Sequence, residues 1–582
     1  MQKQSKRLIG GAVAAVPGLL GLLCTFGLNA RKEQLWELLA LPLAAGLFFL
    51  LGWLAWPRIT RRKLKYALPL GVFFGLCNAL GADFFLDDQL DPSPEGFLLK
   101  LGAVLGLGFV YGAVAVLILS VPPMKQESRI SGPRMFWLAW GVLLLCWLPC
   151  YIAFFPGIFA YDIPTQLRGI SEGYLTTDHP ILHTLIAWGC FSLGNKISSY
   201  TLGAALYSLV QTLALSAAYS AVVAFLRRPA LRWGSLAWFA LLPIHPLFAV
   251  NATKDVLFAA CTILFLLPVL LLLRCSEYLK KPWFWAWFLG AAVAMALMRN
   301  TGIYVFIVFV PGLLLLLPRR RWMALGLCLL CIGGFFGSRS ALNSAVGVQE
   351  GRFTETLSVP LQQIARCAQQ GVLTDEELAQ VEKYIPEGIW QTYHSRLADY
   401  IKNEIDRETI QQDPAGLIRL WVRLGLRYPG QYIEAFMGMN VGYWYPDAEY
   451  PDPGMWHDYI EARIKNLGPV LTPEDPELWP ACREFYQQIA AGAAEKLPAV
   501  DLLLKPGIYC WATVCLLALA LYRRNRSAGG VLVFLLLSWL LQLLSPIALL
   551  RYVYPMMAAL PLAAGSLEDT KDEKSVADHS GL

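Results

Sequence analysis

The sequence predicts an all-α polytopic membrane protein with about fourteen transmembrane helices and one large, mainly helical segment outside the membrane. Three observations predict this. Apolar residues make up 56% of the 582, with a mean hydropathy of +0.48, above the roughly 45–50% of soluble domains. Long, charge-free apolar runs such as 256–273 and 531–544 suit crossing the hydrocarbon core, which takes about 20 apolar residues in a helix. These runs lack the period-two alternation of barrel strands, so helices must satisfy the backbone in lipid.

Lys3, Lys6 and Arg7 precede an apolar stretch at 8–28. That stretch is too long for a signal-peptide core, and Leu28-Asn29-Ala30 is a poor cleavage site, so it reads as a retained first helix spanning 9–28. Spans at 35–56, 66–83 and 97–121 complete an N-terminal four-helix membrane region, 1–134. A core membrane region, 135–338, follows. It has spans at 135–155, 200–226, 233–250, 256–273, 283–298, 301–317 and 322–338, and an outer loop at 156–199. An extracytoplasmic domain, 339–503, precedes C-terminal membrane helices within 504–567 (506–522, 528–547 and 551–566) and a cytoplasmic tail, 568–582.

Sidedness comes from charge. With the N-terminus in the cytoplasm, six basic clusters share its side: Arg58/Arg61/Arg62/Lys63/Lys65, Lys125/Arg129/Arg134, Arg227/Arg228/Arg232, Arg274/Lys280/Lys281, Arg319/Arg320/Arg321 and Arg523/Arg524/Arg526. This obeys the positive-inside bias, with Arg31 and Lys32 as the exception. It requires 180–194, too short for a comfortable span, to be re-entrant or interfacial. Both termini are then cytoplasmic and the chain belongs in the cytoplasmic membrane.

Segment 339–503 holds 14 Lys+Arg against 24 Asp+Glu, and the remainder 34 against 18. An acidic outer domain beside a basic inner rim argues against nucleic-acid binding, which wants a basic face. Thr374-Asp-Glu-Glu377 reads as a capping box. Asp413-Pro414 reads as an N-cap and first helical residue ahead of Leu417, Leu420, Trp421 and Leu424. Residues 478–497 form a third helix candidate. Loops rich in Pro, Tyr and Trp intervene, at Tyr443-Trp444-Tyr445-Pro446 and Tyr450-Pro-Asp-Pro453. Eleven of the thirteen cysteines lie in or beside apolar spans and read as packing residues. Cys367 and Cys482 lie in the hydrophilic segment, where a bridge is not deducible.

Ionisable groups near membrane depth are expensive and need a reason. Asp162 follows the fifth span at the outer interface and reads as a candidate catalytic base, although an N-cap ahead of Pro164 would also place an aspartate there. His179 and His183 fall one turn apart on a short helix, which suits hydrogen bonding to a phosphate or sugar, a metal, or simple helix initiation by Asp178 or His179 with Pro180. No HExxH pattern accompanies them, so no cofactor is indicated. Lys254-Asp255, Arg299-Asn300 and Arg551-Tyr552 all fall in outer turns. Each alone could be a snorkelling or cap residue. Together, three cations at the rim that positive-inside bias disfavours suggest a phosphate-bearing ligand.

At these residues the chain resembles the GT-C superfamily of membrane glycosyltransferases, which take sugars from polyprenyl-phosphate carriers. The matching features are Asp162 soon after an outgoing helix, the His179-Pro180 start of the next segment, the large outer domain, and Arg551-Tyr-Val-Tyr-Pro555 opening the final helix. More narrowly it looks like an uncharacterised bacterial group sharing Lys254-Asp255, Arg299-Asn300 and Pro360-Leu-Gln-Gln-Ile-Ala-Arg366. The likeness runs from about 135 to 567. Four extra spans precede it, and no DxD metal motif follows the first core helix.

The resemblance implies that Asp162 deprotonates an acceptor hydroxyl as it attacks the anomeric carbon with inversion. Lys254, Arg299 and Arg551 would hold the lipid phosphate, with His179, His183, Asp255 and Tyr552 beside it. Tyr443, Trp444 and Tyr445 could stack on an acceptor glycan, lipid or protein, or form an aromatic belt. Competing readings are a polyprenyl-linked lipid flippase or transporter, and an O-antigen-type polymerase or ligase. Against the transporter, there is no internal repeat and the polar residues gather at one face.

Overall fold

Every one of the fourteen apolar stretches is helical in the computed structural model, since each must satisfy its backbone internally. The structure describes residues 2–28, 35–85, 87–122, 132–349, 351, 356–405, 407–448, 467, 471–491, 493 and 498–568. Arg31/Lys32, Lys125/Arg129, Tyr450-Pro-Asp-Pro453 and the tail beyond 568 lie outside them. Among the described residues no β-strand forms, and nine helices are long and apolar enough to cross a membrane.

The first four helices are α1 (Gln2–Leu28), α2 (Leu35–Ala55), α3 (Arg61–Phe84) and α4 (Pro94–Leu119). Thr60 and Ser93 cap α3 and α4 through side-chain bonds to the Lys63 and Gly96 amides. Glycines bring these helices together. A Cβ at Gly106 would lie 2.2 Å from the Pro17 carbonyl oxygen, and one at Gly21 2.6 Å from the Leu107 amide. Such close approach is how helices associate in lipid, where apolar burial supplies no net drive. Gly106→Val is therefore expected to push α1 off α4 and cost about 1–3 kcal/mol. Faster proteolysis between α1 and α2 would report it; an unchanged cleavage rate would contradict it.

The core comprises α5 (Gly132–Ala153), α6 (Ile163–Glu172), α7 (Ile181–Ile197), α8 (Tyr200–Phe225), α9 (Pro229–Leu241), α10 (Ile244–Val250), α11 (Lys254–Arg274), α12 (Pro282–Met298), α13 (Asn300–Leu316) and α14 (Arg321–Val346). The stretch expected as one span at 233–250 is instead the α9–α10 pair, bent by 58°, because Pro243 and Pro246 remove helical N–H donors there. Helix α14 runs two turns past the expected end at 338. Segment 180–194 is the helix α7. Its first turn lies beside Leu297 and Asn300 at the α12–α13 turn, and its Gly194 lies against Gly203 at the start of α8. Both ends of α7 thus sit at one end of the bundle.

The hydrophilic segment forms α15 (Ser358–Gln369), α16 (Asp375–Glu382), α17 (Glu387–Trp390), α18 (Asp399–Lys402), α19 (Arg407–Gln412), α20 (Pro414–Arg427), α21 (Pro429–Trp444) and α22 (Pro480–Ala490). Thr374 and Glu377 make both bonds of the capping box, and Asp413 accepts from the Gly416 amide. Leu417, Leu420 and Leu424 bury against Leu361, Ile364 and Ile401 in a separate small core. Cys367 belongs to that core while Cys482 lies against Pro149, and both are free thiols.

The chain ends in α23 (Pro498–Leu504), α24 (Pro506–Arg523), α25 (Arg526–Gln542) and α26 (Leu550–Ser566). The helical cluster docks where α3 ends and α25 turns into α26. Arg396 pairs with Asp88 at 2.8 Å, and the Ala398 amide donates to the Pro546 carbonyl at 3.0 Å. Basic clusters meet at the other end, where Arg62 donates to the Tyr522 carbonyl and Arg523 to that of Val121.

Candidate functional site

A short backbone link builds the site. After α5 the chain turns at Gly157, whose φ of +138° and 1.9 Å clearance to Ser208 Oγ exclude any side chain. Ile158 then pairs in parallel with Asn251: its amide donates to the Val250 carbonyl at 2.9 Å and its carbonyl accepts from Ala252 at 2.8 Å. This pairing lays the segment before Asp162 alongside the segment before Lys254.

Asp162 occupies the N-cap position of α6, yet its side chain makes no cap bond. One carboxylate oxygen instead lies 2.8 Å from Lys254 Nζ and 3.3 Å from Arg551 Nη1. The capping alternative is thereby set aside. Burial pushes the Asp162 carboxyl up, but Lys254 and then Arg551 outweigh it and hold it well below the usual carboxylate range. The preceding residue, Tyr161, takes a left-handed φ of 53°, uncommon for a bulky residue, and its ring lies 4.5 Å from the Arg551 guanidinium.

Asp255, with no exposed side-chain surface, anchors the second half. It stands 3.0 Å from Arg299 Nη1 and 3.7 Å from Arg551 Nη1, and Thr253 donates to it at 3.3 Å. Arg299 sits in the one-residue turn between α12 and α13 and donates to Gln542 at 3.1 Å. The Tyr552 ring lies under both arginines, 4.8 Å from Arg299 and 4.7 Å from Arg551, and its hydroxyl accepts from Arg551 at 3.0 Å. The approach of Arg299 to Asp255 lacks hydrogen-bond alignment. Asp255 Oδ1, Arg299 Nη1, Arg551 Nε and His179 Nδ1 are buried without a hydrogen-bond partner. Asp255 Oδ1 and Arg299 Nη1 face each other as an ion pair, but buried polar atoms are rarely left as Arg551 Nε and His179 Nδ1 are, and these two are placed to meet polar ligand atoms.

Five of the expected residues therefore converge: Asp162, Lys254, Asp255, Arg299 and Arg551, with Tyr552 as their floor. His179 lies at the edge of the network. Burial first, and Lys254 second, push its imidazole down to about 4, so it is neutral at physiological pH. His183 is a correction. Fully buried, it bonds Gln166 at 2.7 Å and Tyr207 at 2.8 Å, spending both ring nitrogens on tying α6 to α7 and α8. Its role is support beneath the site, not contact with a ligand.

Tyr443 and Tyr445 are a second correction. Tyr443 is fully buried and bonds Ser545 and the Ile547 carbonyl, and Tyr445 packs on Gly81 and Phe85. Trp444 is partly buried against the same helices. These side chains dock α21 onto the membrane helices, leaving Tyr443 and Tyr445 no free face for stacking. Arg366 is likewise structural, bonding Glu434 and the Asp88 carbonyl, each at 2.7 Å. Among the described residues no three His, Cys, Asp or Glu side chains gather as metal ligands.

Sequence reasoning missed Tyr161, Thr253 and Gln542. Gln542 carried a signal, as a lone amide within an apolar span. The other two had only their adjacency to charged residues.

A family model described as "Family of unknown function (DUF6020)" matches residues 170–579 of the chain, more than half of it. The match takes in Lys254, Asp255, Arg299 and Arg551 and begins after Asp162. No curated protein and no solved structure matches.

Proposed function

The chain belongs to the DUF6020 family of unknown function, and we propose that it transfers a sugar from a polyprenyl-phosphate carrier to an acceptor at the outer face of the cytoplasmic membrane. On this reading all fourteen apolar stretches cross the membrane in a GT-C-like arrangement, both termini are cytoplasmic, and the α15–α22 cluster covers an external site.

The observation that carries the proposal is the charge network itself. Lys254, Arg299 and Arg551 face Asp162 and Asp255, three cations against two carboxylates, so one positive charge is in excess. A sugar-phosphate-polyprenyl is a phosphodiester with one negative charge and would balance it. The network also lies at the end of apolar helices, where a lipid-borne phosphate sits.

In the proposed reaction Asp162 takes the proton of an acceptor hydroxyl as its oxygen bonds to the anomeric carbon. The bond from that carbon to phosphate breaks on the opposite side, with inversion. The departing monoester gains a negative charge, which the three cations stabilise where it develops. Without donor, Asp162 is a poor base because Lys254 and Arg551 share it. A phosphate that draws those cations away restores its basicity, so donor binding readies the base.

Right-side-out vesicles carrying the protein are expected to transfer labelled sugar from externally added polyprenyl-phosphate donor, and inverted vesicles to fail. Movement of intact donor across the bilayer with no transfer would favour the transporter reading and remove this one.

A further inference from the structure

At the far end of the same helices lies a second site of opposite character. A cleft of about 740 Å³ is lined by Arg62, Lys63, Arg523, Arg524 and Arg526. They come from the start of α3 and from the α24–α25 joint, segments more than 450 residues apart that are braced together by Arg62 on the Tyr522 carbonyl. A third segment, the end of α4, completes the wall: Lys63 donates to Ser120 at 2.7 Å, and Arg523 to the Val121 carbonyl at 2.6 Å. No carboxylate is among the described residues that line it. Glu568, next to the cleft residue Leu567, accepts instead from the Arg227 and Arg228 amides.

Positive-inside bias accounts for cations at this end, but not for five of them facing one concavity. One further feature favours an anion there, and a second makes a clean substitution available. Arg526 and Ser527 open the 17-residue α25, where the Asn525 side chain takes the Ala528 amide and the positive end of the helix dipole adds to the cations. Arg524 holds φ 57°, ψ 31° as the C-cap of α24, a left-handed position at which helices usually place glycine. A cation stands where conformation favours glycine.

We propose that this cleft binds a phosphate group. It lies at the opposite end of α26 from Arg551, about 25 Å away for 17 residues at 1.5 Å each. It is thus separate from the Asp162 site and does not depend on the glycosyl-transfer reading. The phosphate comes either from an anionic lipid headgroup, since the cleft lies at the ends of membrane-crossing helices, or from a soluble phosphate compound.

Arg524→Gly tests this without endangering the fold, because glycine suits the left-handed backbone. The unliganded unfolding midpoint should hold or rise. Thermal midpoints would be read in phosphatidylcholine nanodiscs with and without phosphatidylglycerol, and in detergent with and without inorganic pyrophosphate. Wild type is expected to be stabilised by at least one ligand, with affinity falling about tenfold or more in Arg524→Gly/Arg526→Gln as charge-assisted contacts are lost. A response to phosphatidylglycerol alone assigns the headgroup, and one to pyrophosphate assigns the soluble source. If neither ligand shifts wild type, or if the charge-matched control Arg319→Gln/Arg321→Gln loses as much response, the proposal is overturned.

Discussion

Asp255→Ala is expected to destabilise the protein by about 3–5 kcal/mol, the cost of breaking a buried ion pair by removing one partner. The side chains of Arg299 and Arg551 are only 8% and 10% exposed, and Asp255, at 0%, faces both. Its removal leaves Arg299 with the Gln542 amide oxygen and Arg551 with Asp162, each guanidinium still largely out of water. Unfolding in detergent, followed by denaturant titration, measures the loss. Adding Arg299→Met should recover part of it, because removing a whole pair costs less than orphaning one charge. A loss below about 1 kcal/mol would show that water reaches these groups and that the network is not dry.

Asp162→Asn is expected to lower sugar transfer by about 10²–10⁴-fold, the usual worth of a positioned general base, with a smaller drop in the unfolding midpoint than Asp255→Ala gives. Asp162 is 29% exposed and its two cations keep other partners or solvent, so its loss costs less than that of Asp255. Transfer equal to wild type would dismiss the assigned base. The pH dependence has a definite sign. Asp162 is held below the usual carboxylate range, so it stays ionised as pH falls until that lowered value is reached. His179, pushed down from 6.5 to about 4, stays neutral over the same interval. Because kcat/KM reports the free enzyme, it should be flat from about pH 8 down to about pH 5. An acid limb near 6.5 would mean that His179 titrates in water and lies outside the network.

Composition and periodicity made the helices legible. A chain this apolar must be solvated by lipid, and lipid leaves helix as the only solution for these stretches. Local capping at Thr374 and Asp413 was equally readable, because a cap involves residues three apart. Errors came where distant packing overrides local character. Tyr443 and Tyr445 read as exposed loop aromatics, yet α21 delivers them into the membrane helices. His183 shares a helical face with His179, but Tyr207 and Gln166, from other helices, claim it.

Charge placement along the chain determined by itself that Asp162, Lys254, Asp255, Arg299 and Arg551 share one end of the bundle, since alternating helices return alternate turns to the same side. Only the tertiary structure decided that they touch. That depends on the Ile158–Asn251 backbone pairing, on the one-residue turn at Arg299, and on α25 and α26 packing against α11. The same packing, read at the other ends of α25 and α26, gathers the basic cleft, where sequence displayed only two unconnected runs of cations. Contact between residues hundreds of positions apart follows from side-chain fit between helices, and no local pattern encodes that fit.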